Sequence, residues 1–314
     1  MNLSTISLLL NTYLIPLIVL FGTIGNILSI LIFTCPSLRR SCSIYFLASS
    51  INGLAILLFA AILRWLSDGF LGINPTTTSL IFCRLRLYSG FVIYNIASSL
   101  TACITIDRYC SSCPNANIRR FSSRINLAYI VVLIVILITS LAYSHMLFKV
   151  TIINFICRLE PGFYAQFLPF FTTGYYFFPI ILILVFGLGT SYNIRSQRRR
   201  IQPITMLERR TLRGDTQLLL LLLVHVICYI SLALPYHISL VFGAIYPTLT
   251  VTETFRFAQN LTLTGLNLSQ AINFYVFTLT ASLYRKELVK LLQRMKTKYW
   301  TNPKTQRFPN GITL

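Results

Sequence analysis

Seven predominantly apolar runs, each close to 20 residues long, set the first limit on what this 314-residue chain can fold into. They lie at about Leu14–Phe33, Ile44–Trp65, Leu85–Ile106, Ile125–Phe148, Phe167–Tyr192, Leu218–Phe242 and Phe255–Leu279. A helix rises about 1.5 Å per residue, so about 20 residues match the hydrocarbon thickness of a bilayer. In lipid a backbone must satisfy its own N–H and C=O groups, which leaves helices and closed barrels. Barrel strands are about ten residues long with alternating polarity, and these runs show no such alternation. The expectation is an all-α membrane protein, a bundle of seven transmembrane helices. Charged residues make up only 11% of the chain, against about a quarter in soluble domains, which agrees.

The seventh run is the weakest, because Asn260, Thr262, Thr264, Asn267, Ser269, Gln270 and Asn273 interrupt it. Polar groups at membrane depth face other helices or a wet cavity, so this run reads as a helix lining the bundle interior. Beyond it, Leu283 to Met295 place apolar residues at 284, 288, 291, 292 and 295 on one helical face, with basic residues on the other. That is the pattern of a short amphipathic helix on the membrane surface. The chain thus divides into a short N-terminus (1–13), the helical bundle (14–282), the surface helix (283–296) and a flexible tail (297–314).

The net charge of +20 is a question of placement. With seven spans, alternate connections fall on opposite sides, and 21 of the 27 Lys and Arg fall on one of them. The positive-inside rule makes that side cytoplasmic, with the N-terminus outside and the C-terminus inside. The charge is therefore expected to face anionic lipid and not nucleic acid. The first run lacks a basic n-region and a small-residue cleavage site, so it reads as a reverse signal anchor, not a cleaved signal.

Cys83 opens the third run on the outer side and Arg108 closes it 25 residues later, about the thickness of a bilayer with part of its interfaces. Cys157 falls in the outer loop between the fourth and fifth runs. In an oxidising compartment the two cysteines would join that loop to the third helix; two free thiols are the alternative. Cys110-Ser111-Ser112-Cys113 has metal-like spacing but no second Cys or His pair to complete a site. No catalytic constellation or glycine-rich phosphate loop is present, so neither enzymatic activity nor a cofactor is expected.

Asp107-Arg108-Tyr109 lies where the third run ends. Asp215 opens the sixth helix on the same membrane face, so a carboxylate and the Arg108 guanidinium would form a breakable latch between helix ends. An N-terminal helix cap is the other reading of Asp215. Pro179 and Pro235 interrupt the fifth and sixth runs near their middles, where each removes a backbone hydrogen bond and kinks the helix.

With Gly25-Asn26, Cys83 and Cys157, Asp107-Arg108-Tyr109, Pro179, Pro235 and Asn273 in this order, nearly the whole chain resembles the rhodopsin-like G protein-coupled receptors. Asp215 stands 20 residues before Pro235, where that family places its latch acid. The departures are specific. The family's seventh-span motif reads Asn273-Phe274-Tyr275-Val276-Phe277, without its proline or final tyrosine. Ala233 replaces the sixth-span tryptophan, Gly187 a fifth-span tyrosine, and no acid stands near Ile51–Gly53 for the family's sodium ion.

The resemblance implies an extracellular ligand, a heterotrimeric G protein partner and a plasma-membrane location. Gly90 stands where amine receptors carry an aspartate, and Asn267 where opsins carry a lysine. The remaining candidate lining is Phe91, Tyr94, Asn95, Phe171, Tyr175, Tyr236, His237, Gln259 and Asn267, with Arg64, Arg84 and Arg86 near its mouth. An aromatic, amphipathic lining suits a peptide, in the style of invertebrate FMRFamide-like neuropeptide receptors. An anionic ligand is the alternative that the basic mouth allows. A chemosensory or uncoupled receptor of the same fold, and a small transporter or channel, remain the other readings.

Overall fold

Polar groups decide how the helices pair, because apolar ones gain little by leaving lipid for each other. The computed structural model describes residues 2–36, 40–68, 79–153, 155–200, 206–280, 285–291 and 293, with side chains described except at 68, 121, 197–200, 206–222 and 277–280. Six helices are long and apolar enough to cross a membrane: Leu3–Phe33, Ser41–Ser67, Leu80–Ser112, Ile125–Lys149, Phe163–Ser196 and Leu223–Ile245. The fifth and sixth continue to Phe163–Arg200 and Met206–Ile245. The polar seventh consists of Glu253–Ala271 and Asn273–Thr280, completing a seven-helix bundle. Bundle polarity is inverted relative to a soluble protein. The fourth helix exposes Leu133, Leu137, Ile138 and Leu141, whereas the seventh buries Thr264, Asn267, Ser269 and Gln270.

The third helix occupies the centre, packed against the second, fourth and fifth helices. Ser79 caps its start by accepting from the Phe82 N–H. A short helix, Ala116–Ser122, comes after its other end. Between the fourth and fifth helices the chain makes an antiparallel hairpin of strands Val150–Ile153 and Ile156–Leu159, with Ile152 opposite Cys157. This hairpin is the one departure from an all-helical fold among the described residues. The Cys83–Cys157 disulfide fastens it to the third helix, and Arg84 Nε donates to the Val150 carbonyl at 3.1 Å.

The first helix begins at Leu3, ahead of the apolar run, so the short N-terminal segment 1–13 is largely helical. Bonds to other helices hold it there, including one from Trp65 Nε1 to the Thr12 carbonyl at 3.3 Å. Asn260 Nδ2 donates to Ser7 Oγ at 2.6 Å, and Arg64 donates to Asn11 Oδ1 at 2.9 Å. Asn11 lies in a π-helical turn, Leu10–Leu14, and a second such turn, Ile56–Ala61, precedes Arg64. Each π turn inserts an extra residue and so rotates the helix beyond it. Apolar periodicity carries no sign of either.

The first, second and seventh helices meet at glycines. A Cβ at Gly22 would lie 2.6 Å from Leu57 Cδ1 and 2.7 Å from Ala271 Cβ. The seventh helix breaks at Ile272, just past Gln270, and the break leaves carbonyls without helical partners. Asn26 Nδ2 donates to the Gln270 carbonyl at 3.2 Å and to Gly22 O at 2.9 Å, bridging the two helices. After the seventh span, residues 285–291 are helical. Leu288 packs onto the bundle, and the buried Glu287 pairs with Lys290 at 2.8 Å. Residues 284, 292 and 295 of the expected apolar face, and the tail 297–314, lie outside the described residues.

Gly22→Val should lower stability by about 1–3 kcal/mol through overpacking at this three-helix contact. Gly174→Ala, with nothing within 4 Å of the added Cβ, should be nearly neutral. Thermal unfolding of the detergent-purified protein measures both, and equal midpoints would contradict the close approach.

Candidate functional site

Two sites lie toward opposite ends of the third helix. Nearer the hairpin, a cavity of about 170 Å³ opens between the second, third, fifth, sixth and seventh helices. Of the residues expected to bind ligand, it brings together Phe91, Tyr94, Asn95, Tyr236 and His237. It is not lined by the other four, of which Phe171 packs edge-on to Tyr143 at 5.4 Å. The Tyr175 hydroxyl shares a 2.8 Å bond with Thr139 and its ring packs edge-on to Tyr143, in an aromatic cluster between the fourth and fifth helices. Asn267 lies behind the wall, accepting from the Tyr94 hydroxyl at 2.5 Å and so fixing that ring. Gln259 comes after Arg256 and Phe257, which line a separate cleft beside Leu3 and Ser7.

The basic residues are placed differently from the expected open mouth. Arg64 is 4% exposed, deep among the helices. Its Nη2 donates to Asn11 Oδ1 (2.9 Å), the Asn260 carbonyl (2.9 Å) and Thr264 Oγ1 (3.1 Å), joining the first, second and seventh helices. Nη2 has two N–H groups, so one of them is shared between two of these oxygens. Arg86 also borders the cavity and donates to Ser67 Oγ at 3.1 Å. Arg84 holds the hairpin backbone instead.

The sixth helix contributes its two lining residues immediately after Pro235. His237 stacks on Tyr176 of the fifth helix with ring centroids 3.7 Å apart. Tyr176, Ile180, Tyr229 and Leu266 surround the fully buried Ala233, so tyrosines and aliphatic groups fill the region where a tryptophan was expected. Gly265 lets the seventh helix approach the proline-weakened segment, since a Cβ there would lie 3.1 Å from the Leu232 carbonyl. Pro179 lies inside the fifth helix, as Pro235 does in the sixth.

At the far end, Arg108 Nη2 and Asp107 Oδ2 are 2.7 Å apart, with Asp107 buried. Ser122 of the adjoining short helix donates to the other carboxylate oxygen, Asp107 Oδ1, at 3.0 Å. Sequence reasoning missed Ser122, because nothing in its neighbourhood marks it as Asp107's partner before the chain has turned. The Tyr109 ring packs edge-on to Phe186 (5.2 Å) and lies where a Cβ at Gly189 would approach to 2.7 Å. Asn273 is buried and opens the short helix after the seventh-span break. Asp215 belongs to the sixth helix, but its side chain lies outside the described residues. Gly53 faces Asn26, with a Cβ there 2.8 Å from Asn26 Oδ1, so of Ile51–Gly53 it is the residue pointing at that amide, and it carries no acid.

A buried acid–arginine pair at one end of a central helix, a cavity at the other and a seven-helix frame between them define a membrane receptor architecture. The family model of the seven-transmembrane receptors of the rhodopsin family matches residues 25–275. The chain belongs to that family, a family of receptors and not of enzymes, and it is a multi-pass membrane protein. No curated protein matches it.

Arg64→Met should cost about 2–4 kcal/mol, because it orphans acceptors on two neighbouring helices at once. Arg84→Met, which removes one bond to the hairpin, should cost about 1 kcal/mol. Thermal unfolding reads the difference, and an Arg64 variant no weaker than the Arg84 variant would refute the cross-link.

Proposed function

We propose that this chain is a plasma-membrane receptor that takes an extracellular peptide, of the neuropeptide kind, at the cavity and activates a heterotrimeric G protein. The observation that carries this reading is that one rigid helix borders the cavity and ends in the buried Asp107–Arg108 pair. The 21 basic residues on one side favour placing that pair in the cytoplasm, with the N-terminus outside. Aromatic rings and scattered hydrogen-bonding groups around the cavity favour a peptide over an amine, since Gly90 offers no counter-ion.

The switch depends on where the ligand would press. Tyr236 and His237 line the cavity directly after Pro235, the position at which the sixth helix lacks a backbone donor. A ligand with different affinities for two positions of these rings biases the helix between two tilts. The tilt moves the Asp215 end relative to Arg108. Losing the Arg108–Asp215 latch frees the guanidinium and opens a cleft for the G protein. Ala233 in place of a bulky ring leaves more of the coupling to the Tyr176–His237 stack and to Arg108 itself.

Arg108→Ala should abolish ligand-dependent nucleotide exchange on a reconstituted G protein, and full-strength exchange would sink this mechanism. Asp215→Ala should raise basal exchange by several-fold, and an unchanged basal level removes the latch alone. His237→Ala should weaken the response to ligand while leaving the Asp107–Arg108 end intact, read as a right-shifted dose–response curve in a reporter assay.

A further inference from the structure

We infer that Ser122 is a phosphorylation site for an arginine-directed serine kinase, and that its phosphate forces the short helix Ala116–Ser122 off the Asp107 carboxylate. This rests on placing that end of the bundle in the cytoplasm, where nucleoside triphosphates and kinases are found. Arg119-Arg120-Phe121-Ser122 is the one place in the 314 residues where two adjacent arginines are followed, after one intervening residue, by a serine or threonine. Kinases of this class select substrates by charge, with carboxylates that read guanidinium groups two and three residues before the hydroxyl. A basic loop facing lipid needs the arginines alone. The contact that the serine makes gives the spacing a consequence.

Both arginines are exposed. Arg119 Nη1 donates to the Cys113 carbonyl at 3.3 Å, and the Arg120 side chain makes no hydrogen bond or ion pair among the described residues. Ser122 is the opposite. It is 9% exposed, and its hydroxyl donates to Asp107 Oδ1 at 3.0 Å. A kinase therefore reaches it only after the short helix has lifted from the third. That helix has seven residues, of which 116 to 120 are all exposed. So short a helix has little stability of its own, and its position depends on few contacts. The modification thus requires, and reports, release of the Asp107–Ser122 bond.

In the transfer, Ser122 Oγ attacks the γ-phosphorus of Mg-ATP, its proton passes to the base of the kinase, and the bond to the β-phosphate oxygen breaks to release ADP. The hydrogen that Ser122 shared with Asp107 leaves as that proton. In its place stands a group with a charge of about −1.5 to −2. Redocking would press this charge against the buried Asp107 carboxylate, in a space that holds a hydroxyl. Repulsion and desolvation both oppose that return. Arg108 does not reverse the sign, because its guanidinium is at the other carboxylate oxygen, Oδ2. Outside, the exposed Arg119, Arg120 and Arg124 offer the phosphate partners in water.

The test uses the full-length, detergent-purified protein, Mg-ATP and the catalytic subunit of cyclic-AMP-dependent protein kinase, with fragmentation mass spectrometry to locate the phosphate. Phosphate is expected on Ser122. Arg120→Gln leaves the Ser122–Asp107 bond in place and should slow incorporation by about tenfold or more. Asp107→Ala removes the acceptor and should speed it by about tenfold. Hydrogen exchange across residues 116–122 should be faster in the phosphorylated protein than in the unmodified one. Phosphate on Ser123 alone or on neither serine overturns the site, as does an Arg120→Gln rate within about twofold of wild type. Unchanged exchange across 116–122 overturns the release, as does an Asp107→Ala rate within about twofold of wild type. Should Asp107→Ala fail to fold, the exchange measurement still decides. No ligand or G protein enters this assay, so a receptor that drives nucleotide exchange while Ser122 resists the kinase defeats this inference alone. Phosphate on Ser122 without any nucleotide exchange defeats the signalling proposal alone.

Discussion

The bundle depends on polar bonds between helices that lipid cannot replace. Apolar faces such as that of the fourth helix are as well solvated by acyl chains as by neighbouring helices, so they cannot select one arrangement. Arg64 can, because its three bonded oxygens exist only when the first, second and seventh helices are in register. Asn26 adds a second tie between the first and seventh helices, at the break that frees the Gln270 carbonyl. Glycines at 22, 25 and 53 bring the backbones close enough for these bonds to form. Arg64, which ties these helices, also lines the cavity.

Beside that side of the bundle, the sixth helix packs against the fifth and the seventh. Its contacts near Pro235 include a ring stack to the fifth helix, a bond from Thr173 Oγ1 to the His237 carbonyl and a glycine-mediated approach to the seventh. Stacked rings slide at little energetic cost, whereas a three-bond arginine does not. The third helix is pinned at its hairpin end by the disulfide and tied at its other end to the adjoining short helix by the Asp107 contact with Ser122.

Much of this was legible from residue order. Long apolar runs have one stable form in lipid, so run length gives the span positions directly, and the polar interruptions of the seventh run mark it correctly as an inward-facing helix. The first helix extends N-terminal to its apolar run, where Asn11 is a buried partner of Arg64. Arg64 itself was placed at a mouth because an arginine near a span's end ordinarily snorkels to water. Its partners come from helices far away in sequence, as do those of Asp107 in Ser122 and of Tyr94 in Asn267. Tyr175 and Gln259 shared the composition of a binding residue but not the facing.

The sequence by itself determined the helical class, the number of spans and a central helix with a cysteine at one end and an acid–arginine motif at the other. These depend on run length, charge sign and spacing along a rise of known size, which are local properties. Only the tertiary structure decided which polar atoms meet, which rings line the cavity and that an arginine is held there. Those outcomes depend on helix rotation, which two π turns and a break at Ile272 reset in ways that periodicity does not record.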